Sequence, residues 1–163
     1  MTANTNLIIR FVEPRDCAIL FELVQGLAEY ERLAHTVTGD AEKLHQHLFG
    51  SPKYIEAMLA EIDGKAVGFS MFFHNYSSYL TKPGIYLEDI YVIPEYRQQG
   101  IGKALLTKVA QIAVERDCGR LEWNVLDWNV SAQKFYYRMG AEMIEDWRIC
   151  RVNQENLIKL ANQ

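Results

Sequence analysis

Residues Tyr86 to Leu106 read YLEDIYVIPEYRQQGIGKALL, and their hydrophobic pattern changes halfway along. The first part, up to Ile93, is rich in aromatic and β-branched residues, which indicates a strand. Pro94 ends that strand, because proline has no backbone N–H to donate to a ladder. From Ile101 onward the apolar residues recur at helical spacing. The sequence therefore predicts a strand, a glycine-bearing loop and the start of a helix, in that order.

The predicted loop is suited to binding an anion. The first N–H groups of a helix have no partners within the helix, and the helix dipole adds partial positive charge there. Both effects favour a phosphate at this position. Gly100 and Gly102 lack Cβ atoms, which would let an anion approach the backbone, while Arg97 and Lys103 can add full charges. The alternative is that the two glycines only shape a strand–helix turn.

The composition predicts one globular domain over residues 1–163. The chain is 49% hydrophobic and 23% charged, which is ordinary for such a domain. A net charge of -4 argues against a general nucleic-acid binder. Three widely spaced cysteines give no zinc spacing, and we expect no metal site. Since the start of the chain has no signal-peptide pattern and no run is long enough for a membrane span, we predict a cytoplasmic protein without a membrane partner.

The rest of the chain alternates between strand and helix patterns. Strands are predicted over residues 7–12, 54–62, 65–75, 86–93, 120–126 and 141–152, and helices over 13–31, 40–48, 101–117, 130–139 and 153–161. Asp63-Gly64 is typical of a hairpin turn. In the third strand, Val67, Phe69, Met71 and Phe73 are predicted to share one face. The pattern predicts an α+β domain with a mixed sheet.

Several motifs carry a resemblance to a known family. They are Arg97-x-x-Gly100-x-Gly102, Leu87–Val92 (LEDIYV), Leu27–Glu31 (LAEYE), Trp128-Asn129, Phe135-Tyr136 and Gly140-Ala141. With them, the whole chain resembles the GNAT N-acetyltransferase superfamily. Within it, the chain is similar to the diamine/polyamine (spermidine/spermine N1-acetyltransferase-like) family, which includes thialysine acetyltransferases. The resemblance implies the GNAT acyl-CoA N-acyltransferase fold, with a mixed, mostly antiparallel twisted sheet flanked by helices.

The resemblance also implies an activity. Acetyl-CoA would donate its acetyl group directly, in a ternary complex and without a metal, to a primary amine of a small cationic substrate. A diamine, a polyamine, thialysine or another lysine-like amine would fit. The resemblance further implies a homodimer, to which the region around Asp146-Trp147-Arg148 and the terminal helix would contribute. Two alternatives stay open, namely a non-catalytic acyl-CoA-binding regulatory domain and a protein or peptide N-acetyltransferase.

Cofactor-binding residues are likewise implied by the resemblance. The backbone of Ile90, Tyr91 and Val92 would hold the pantetheine arm. The diphosphate would be held by Arg97, Gln98, Gln99, Gly100, Ile101, Gly102 and Lys103. Asn129 would contact the cofactor arm through its side chain. The residues alone support a role for Asn129 as a helix N-cap equally well.

The remaining site residues concern the amine and the proton transfers. The resemblance makes Tyr136 the general acid for the departing thiolate, although Phe135, Tyr136 and Tyr137 also fit an ordinary aromatic cluster. Glu88 and Asp89 are adjacent on a strand and are expected to face opposite sides. The resemblance selects Glu88 to bind the ammonium and relay its proton, which assigns Asp89 to an ordinary polar face. Tyr30 and Glu31 match substrate-contacting residues, with a solvated helix end as the alternative.

Overall fold

The computed structural model describes residues 6–163, which form two compact units. The first unit ends at Leu126, and the second runs from Asp127 to Gln163. The single domain over residues 1–163 stays a prediction.

The first unit contains every strand of the described residues and three helices. Its strands are β1 (Leu7–Phe11), β2 (Glu56–Ile62), β3 (Lys65–Ser77), β4 (Lys82–Val92) and β5 (Leu121–Glu122). Its helices are α1 (Cys17–Tyr30), α2 (Ala41–Phe49) and α3 (Ile101–Glu115). The second unit contains α4 (Val130–Arg138) and α5 (Gln154–Ala161). Short 3₁₀ turns occupy residues 14–16, 34–36 and 94–96.

The sheet follows chain order, β1-β2-β3-β4-β5. The first four strands are antiparallel to their neighbours, and β5 runs parallel to β4. Asp63 and Gly64 join β2 to β3 with φ angles of 51° and 77°, the left-handed pair that a tight hairpin requires. The prediction of an α+β fold with a mixed, mostly antiparallel sheet is confirmed.

Apolar side chains cover both faces of this sheet. On one face, α1 and α2 bury a core that includes Leu20, Leu48, Leu59, Phe69 and Tyr91. On the other face, α3 packs Ile101 and Leu105 against Ala60, Ile62 and Val67. Burying both faces ties the end of β4 to the helices on either side, and this fixes the position of the loop that follows.

Two irregularities interrupt the ladder. Ala60 pairs with Gly68 and Glu61 with Ala66, so Val67 is an extra residue in β3. Val67 consequently packs with α3 while Phe69 and Met71 pack with α1, and the prediction that these residues share one face is wrong. Further along, Met71 pairs with Asp89 and Phe72 with Leu87, which makes Glu88 the extra residue in β4. Such bulges break the strict alternation of side chains.

The predicted sixth strand, residues 141–152, is irregular, so that prediction is wrong. Its pattern is rich in apolar and β-branched residues, but a strand also needs a neighbour to complete its hydrogen bonds. Ile144, Trp147 and Ile149 are instead exposed. The fifth strand is also shorter than predicted, with two residues in place of seven.

Candidate active site

The turn that leads into α3 presents backbone amides at an exposed corner. Gly100 is the N-cap of α3 with φ 83°, a left-handed conformation that strains residues with a Cβ atom. A Cβ built at this position would meet no atom within 4 Å, so backbone conformation and not crowding requires the glycine. The first helical hydrogen bond runs from Ala104 N–H to the Gly100 carbonyl, at 2.9 Å. The amides of the first turn therefore have no acceptor within the helix.

A groove of about 360 Å³ begins at the same end of α3. It is lined by Ile9, Gly100, Lys103, Ala104, Thr107, Lys108 and Gln111. Lys103, in the first turn of α3, adds positive charge to the helix terminus, and Lys108 lies further along the same lining. The corner is therefore electrostatically suited to phosphate oxygens.

Arg97 points into the protein at the base of the turn. Its Nε donates a hydrogen bond to the Val92 carbonyl at 2.8 Å. Its guanidinium carbon lies 4.4 Å from the ring centroid of Tyr30 and 5.5 Å from that of Tyr91, within range of cation–π attraction. Gly26 on α1 lets the Tyr91 ring lie close, since a Cβ there would be 3.0 Å from the Tyr91 hydroxyl oxygen. Arg97 thus joins the turn to the end of α1.

One edge of β4 is open along most of its length. β5 pairs with β4 at only two positions, Ile85 with Leu121 and Tyr86 with Glu122. From Leu87 to Val92, β4 has no strand neighbour on that side among residues 6–163. An open edge of this kind can accept an extended ligand through backbone hydrogen bonds, as an added strand would be accepted.

Three carboxyl groups from two elements interact near this edge. Glu88 and Asp89 lie at the bulge of β4, and Glu31 is the C-cap of α1. The charges of Glu88 and Glu31 both act on Asp89 and disfavour its ionised form. Among residues 6–163, no Lys, Arg or His forms an ion pair with any of the three. The cluster therefore has local negative charge without an ion-pair partner in the described part of the chain.

Asp89 is a further candidate functional residue, for which the sequence predicts only an ordinary polar face. Burial, followed by the charges of Glu88 and Glu31, raises the pKa of Asp89 to about 7. Burial also raises the pKa of Glu31. A carboxyl group with a pKa near neutrality can exchange a proton at physiological pH, as acid–base catalysts do. The signal was present in the Glu88-Asp89 pair, but alternation along an ideal strand does not hold at a bulge.

The second unit carries Asn129 and Tyr136. The Asn129 side chain accepts a hydrogen bond from Ala132 N–H at 3.3 Å, so its predicted N-cap role is confirmed. Tyr136 lies on α4 and is buried, with its ring centroid 5.3 Å from that of Phe135. The cofactor contact of Asn129 and the acid role of Tyr136 stay predictions.

The first unit thus brings most of the predicted site residues together. Tyr30 contacts Arg97, and Glu31 acts electrostatically on Asp89, beside Glu88. The turn of residues 97–103 follows the edge formed by Ile90, Tyr91 and Val92 after one 3₁₀ turn. Arg97 is predicted to hold the diphosphate, but its Nε donates to the Val92 carbonyl and its guanidinium lies over the rings of Tyr30 and Tyr91.

Two further features of residues 6–163 bear on the class of site. No group of three His, Cys, Asp or Glu side chains in this range is arranged to hold a metal ion. None of its helices has the length and apolar character that crossing a membrane requires.

Two relatives found by comparison with known proteins are N-acetyltransferases. A thialysine N-epsilon-acetyltransferase from Bos taurus is 36% identical over 168 residues, covering 96% of this chain and 98% of the relative. An L-ornithine N5-acetyltransferase from Arabidopsis thaliana is 33% identical, covering 91% of this chain and 85% of the relative. Among solved structures, an integron cassette protein from the mobile metagenome of V. cholerae superposes with a TM-score of 0.82 at 24% identity, covering 98% and 99% of the two chains.

The family model for the acetyltransferase (GNAT) family matches residues 21–141, which include β4, the glycine turn and α4. Enzymes of this fold use acetyl-CoA as cosubstrate. The predicted resemblance, fold and enzyme class are confirmed: the chain is an acetyltransferase and belongs to the acetyltransferase (GNAT) family.

Proposed function

We propose that this enzyme transfers the acetyl group of acetyl-CoA to a primary amine of a small substrate with more than one positive charge. The observation that carries the proposal is the cluster of Glu31, Glu88 and Asp89, which has no cationic partner within residues 6–163. Relatives that act on thialysine and L-ornithine support the same substrate class, because both molecules carry two ammonium groups.

The donor would bind along β4 and the turn before α3. Backbone groups of Ile90, Tyr91 and Val92 would hold the pantetheine arm, supported by the open edge of β4. The amides from Gln98 to Lys103 would hold the diphosphate, supported by the left-handed N-cap Gly100. Asn129 is proposed to contact the arm in addition to capping α4.

The amine would bind at the carboxylates. Tyr30 and Glu31 would contact the distal part of the substrate, and Glu88 the ammonium group nearest the thioester. A cation at this position would favour the ionised form of Asp89 and lower its pKa from about 7. Binding would therefore prepare Asp89 as an anion beside the group that must lose a proton.

The proposed reaction needs two proton movements. An alkylammonium has no lone pair, so one proton must first leave it, and Asp89 is the proposed acceptor, directly or through water. The amine nitrogen then forms a bond to the thioester carbon, and the carbon–sulfur bond breaks. The thiolate takes a proton from Tyr136, the proposed general acid, and the second nitrogen proton replaces it. The products are the N-acetylated amine, CoA and one released proton.

A panel of amines with acetyl-CoA, followed by thiol release, tests this proposal. Thialysine, L-ornithine, putrescine and spermidine are compared with butylamine, which matches putrescine in length but lacks the second charge. We expect kcat/KM for putrescine to exceed that for butylamine by about tenfold or more, since one charge-assisted contact contributes roughly 1.5–3 kcal/mol. Equal values for the two amines would contradict the assignment of the carboxylates to a second cation.

The same assay tests the remaining residues and the open alternatives. Tyr136→Phe is expected to lower kcat by about 10²-fold or more with little change in KM. Turnover of a lysine-bearing peptide in place of all small amines would favour a protein acetyltransferase. CoA binding in calorimetry without turnover of any amine would favour a regulatory acyl-CoA-binding domain.

We also propose a cytoplasmic homodimer. All three cysteines are free thiols, which suits a reducing compartment. In the second unit, Ile144, Trp147, Ile149, Leu157 and Ile158 are exposed, and Trp147 is 76% exposed. Large exposed apolar residues in one segment are typical of an interface. Light scattering should give twice the 18.8 kDa chain mass. Trp147→Ser should shift the protein toward monomer, whereas a wild-type monomer would contradict the proposal.

A further inference from the structure

Arg97 is the one charged residue of the glycine turn that turns away from the exposed corner. Its Nε donates a hydrogen bond to the Val92 carbonyl, and its guanidinium carbon lies 4.4 Å from the Tyr30 ring centroid. Arg97 is half-buried, whereas the next three residues, 98–100, are exposed. These contacts occupy the guanidinium with groups of the protein itself.

The two partners of Arg97 belong to different parts of the proposed site. Val92 ends β4, just before the turn that would hold the diphosphate. Tyr30 is the last residue of α1, and Glu31, which follows it, belongs to the carboxylate cluster. Arg97 therefore connects the proposed cofactor turn directly to the end of α1, next to the proposed amine site.

The backbone after Arg97 depends on how this residue is held. Gln98 has φ 62° and Gly100 has φ 83°, so two of the three residues after the anchored side chain are left-handed. A left-handed non-glycine residue is unfavourable and persists only when its surroundings hold it. The bond from Nε to the Val92 carbonyl closes residues 92–97 into a ring and sets the direction in which the turn leaves it.

We propose that Arg97 is a positioning residue that couples the binding of the two substrates, so that the amine and CoA each tighten the binding of the other. This inference rests on the proposed function. A bound amine would order the end of α1 and hence Tyr30, and a bound diphosphate would order the turn beyond Arg97. Whichever ligand binds second finds the other end of the contact already ordered, which favours its binding.

The coupling is measured as a ratio of two dissociation constants for CoA, obtained by calorimetry with and without amine. CoA has no acetyl group, so no turnover occurs. The amine is putrescine, thialysine or L-ornithine, whichever has the highest kcat/KM, at saturating concentration. For the wild type we expect CoA to bind about two- to fivefold more tightly with the amine present, the range of one exposed cation–π contact.

Three variants separate coupling from simple cofactor binding. Tyr30→Phe keeps the aromatic ring and should keep the wild-type ratio. Tyr30→Leu removes the ring, and Arg97→Lys removes the planar guanidinium and the Nε bond, and each should bring the ratio to one. Combining the last two should give no further change, because both remove the same contact. Tyr30 is a partly exposed residue at a helix end, so Tyr30→Leu keeps the test usable even if Arg97→Lys does not fold.

Several results would overturn the inference. A wild-type ratio of one, a ratio below one, or an Arg97→Lys variant that weakens CoA equally with and without amine would each do so. The last result would mean that Arg97 serves the cofactor alone. Failure of the proposed function appears differently, as an absence of thiol release by the wild type with every amine, and it overturns both proposals.

Discussion

Two acidic clusters in the first unit have similar composition and opposite electrostatics. In one, Arg10 lies between Asp16 and Glu61, with nitrogen–oxygen distances of 2.7 and 2.6 Å. The hydrogen bond from Arg10 holds the pKa of Asp16 below its usual value. In the other cluster no such cation is present within residues 6–163, and burial raises the pKa of Asp89 to about 7.

The difference indicates what each cluster does. Arg10 joins β1, β2 and the turn before α1, so its cluster holds the sheet to the first helix. Both carboxylates of this cluster already have a cationic hydrogen-bond partner within the protein. The cluster at the β4 bulge has no ion-pair partner within residues 6–163, so its charge destabilises the folded protein until a proton or a bound cation offsets it. Stability is therefore expected to depend on the first cluster, and catalysis on the second.

Replacing Asp89 by Asn should produce the largest effect on activity. The amide is nearly isosteric with the carboxyl group but cannot accept the ammonium proton. We expect kcat to fall by about 10²–10⁴-fold, the usual contribution of general base catalysis. Steady-state kinetics with the best amine measure it, and circular dichroism confirms that the variant is folded.

Glu88→Gln is the matched control for this change. It removes the neighbouring, more exposed carboxylate and should act mainly on KM for the amine. If Glu88→Gln instead lost the larger part of kcat while Asp89→Asn stayed within threefold of wild type, Glu88 would be the proton acceptor, as the sequence motif indicates.

Replacing Arg10 by Met should have the largest effect on stability. It leaves two carboxylates close together, with Asp16 only 9% exposed at its side chain. Loss of one partner from a buried pair costs about 3 kcal/mol or more in free energy of unfolding. Urea denaturation measures the loss, which should leave kcat of the folded enzyme near the wild-type value.

Arg15→Gln provides a control on the same segment. Arg15 and Glu13 form an exposed ion pair, 75% and 53% exposed at their side chains. Such pairs contribute about 0–1 kcal/mol, so this variant should unfold at nearly the wild-type urea concentration. Equal losses for Arg10→Met and Arg15→Gln would remove the distinction between a structural cluster and an ordinary surface pair.

The elements around the two clusters also show how much of the fold the sequence alone predicts. Hydrophobic periodicity and capping residues located the five α-helices of residues 6–163, and turn residues located the hairpin at Asp63-Gly64 and the glycine turn, because these depend on short-range pattern and backbone preference. It failed where neighbours decide the outcome. Residues 141–152 have a strand pattern but no neighbouring strand, and Val67 and Glu88 are displaced by bulges that only the pairing partner reveals.

The site followed the same division. Motif resemblance selected Glu31, Glu88 and the turn of residues 97–103 as site candidates, since motifs record residue type and spacing, and their roles stay predictions. The raised pKa of Asp89 and the inward contacts of Arg97 depend on burial and on groups distant in the chain. Neither could be derived from an ideal strand or from the loop sequence alone.

The clusters should respond to pH in opposite directions. The pKa of Asp16 is lowered by folding, so its contribution is present above about pH 4 and is lost as the pH falls through the folded value. The pKa of Asp89 is raised to about 7, so its charge destabilises the protein progressively from about pH 4 to 7 and constantly above that range. Asp89→Asn should therefore stabilise the protein at pH 8 and hardly at all at pH 4. Urea titrations between these pH values would contradict this if the gain were independent of pH.

The smallest expected effect concerns Glu31, whose charge contributes less than burial or Glu88 to the raised pKa of Asp89. If Asp89 accepts the proton, kcat/KM for the amine should decline below about pH 7, tenfold for each pH unit. Glu31→Gln removes one negative charge, so this decline should begin at a lower pH, by less than about one unit. If Glu31 binds the amine, the maximum value of kcat/KM also falls in this variant. The pH at which kcat/KM begins to decline does not depend on that maximum value. Glu29→Gln, an exposed change on the same helix, should leave the position unaltered. An identical position for Glu31→Gln and wild type would mean that Glu31 does not act on the group that limits catalysis.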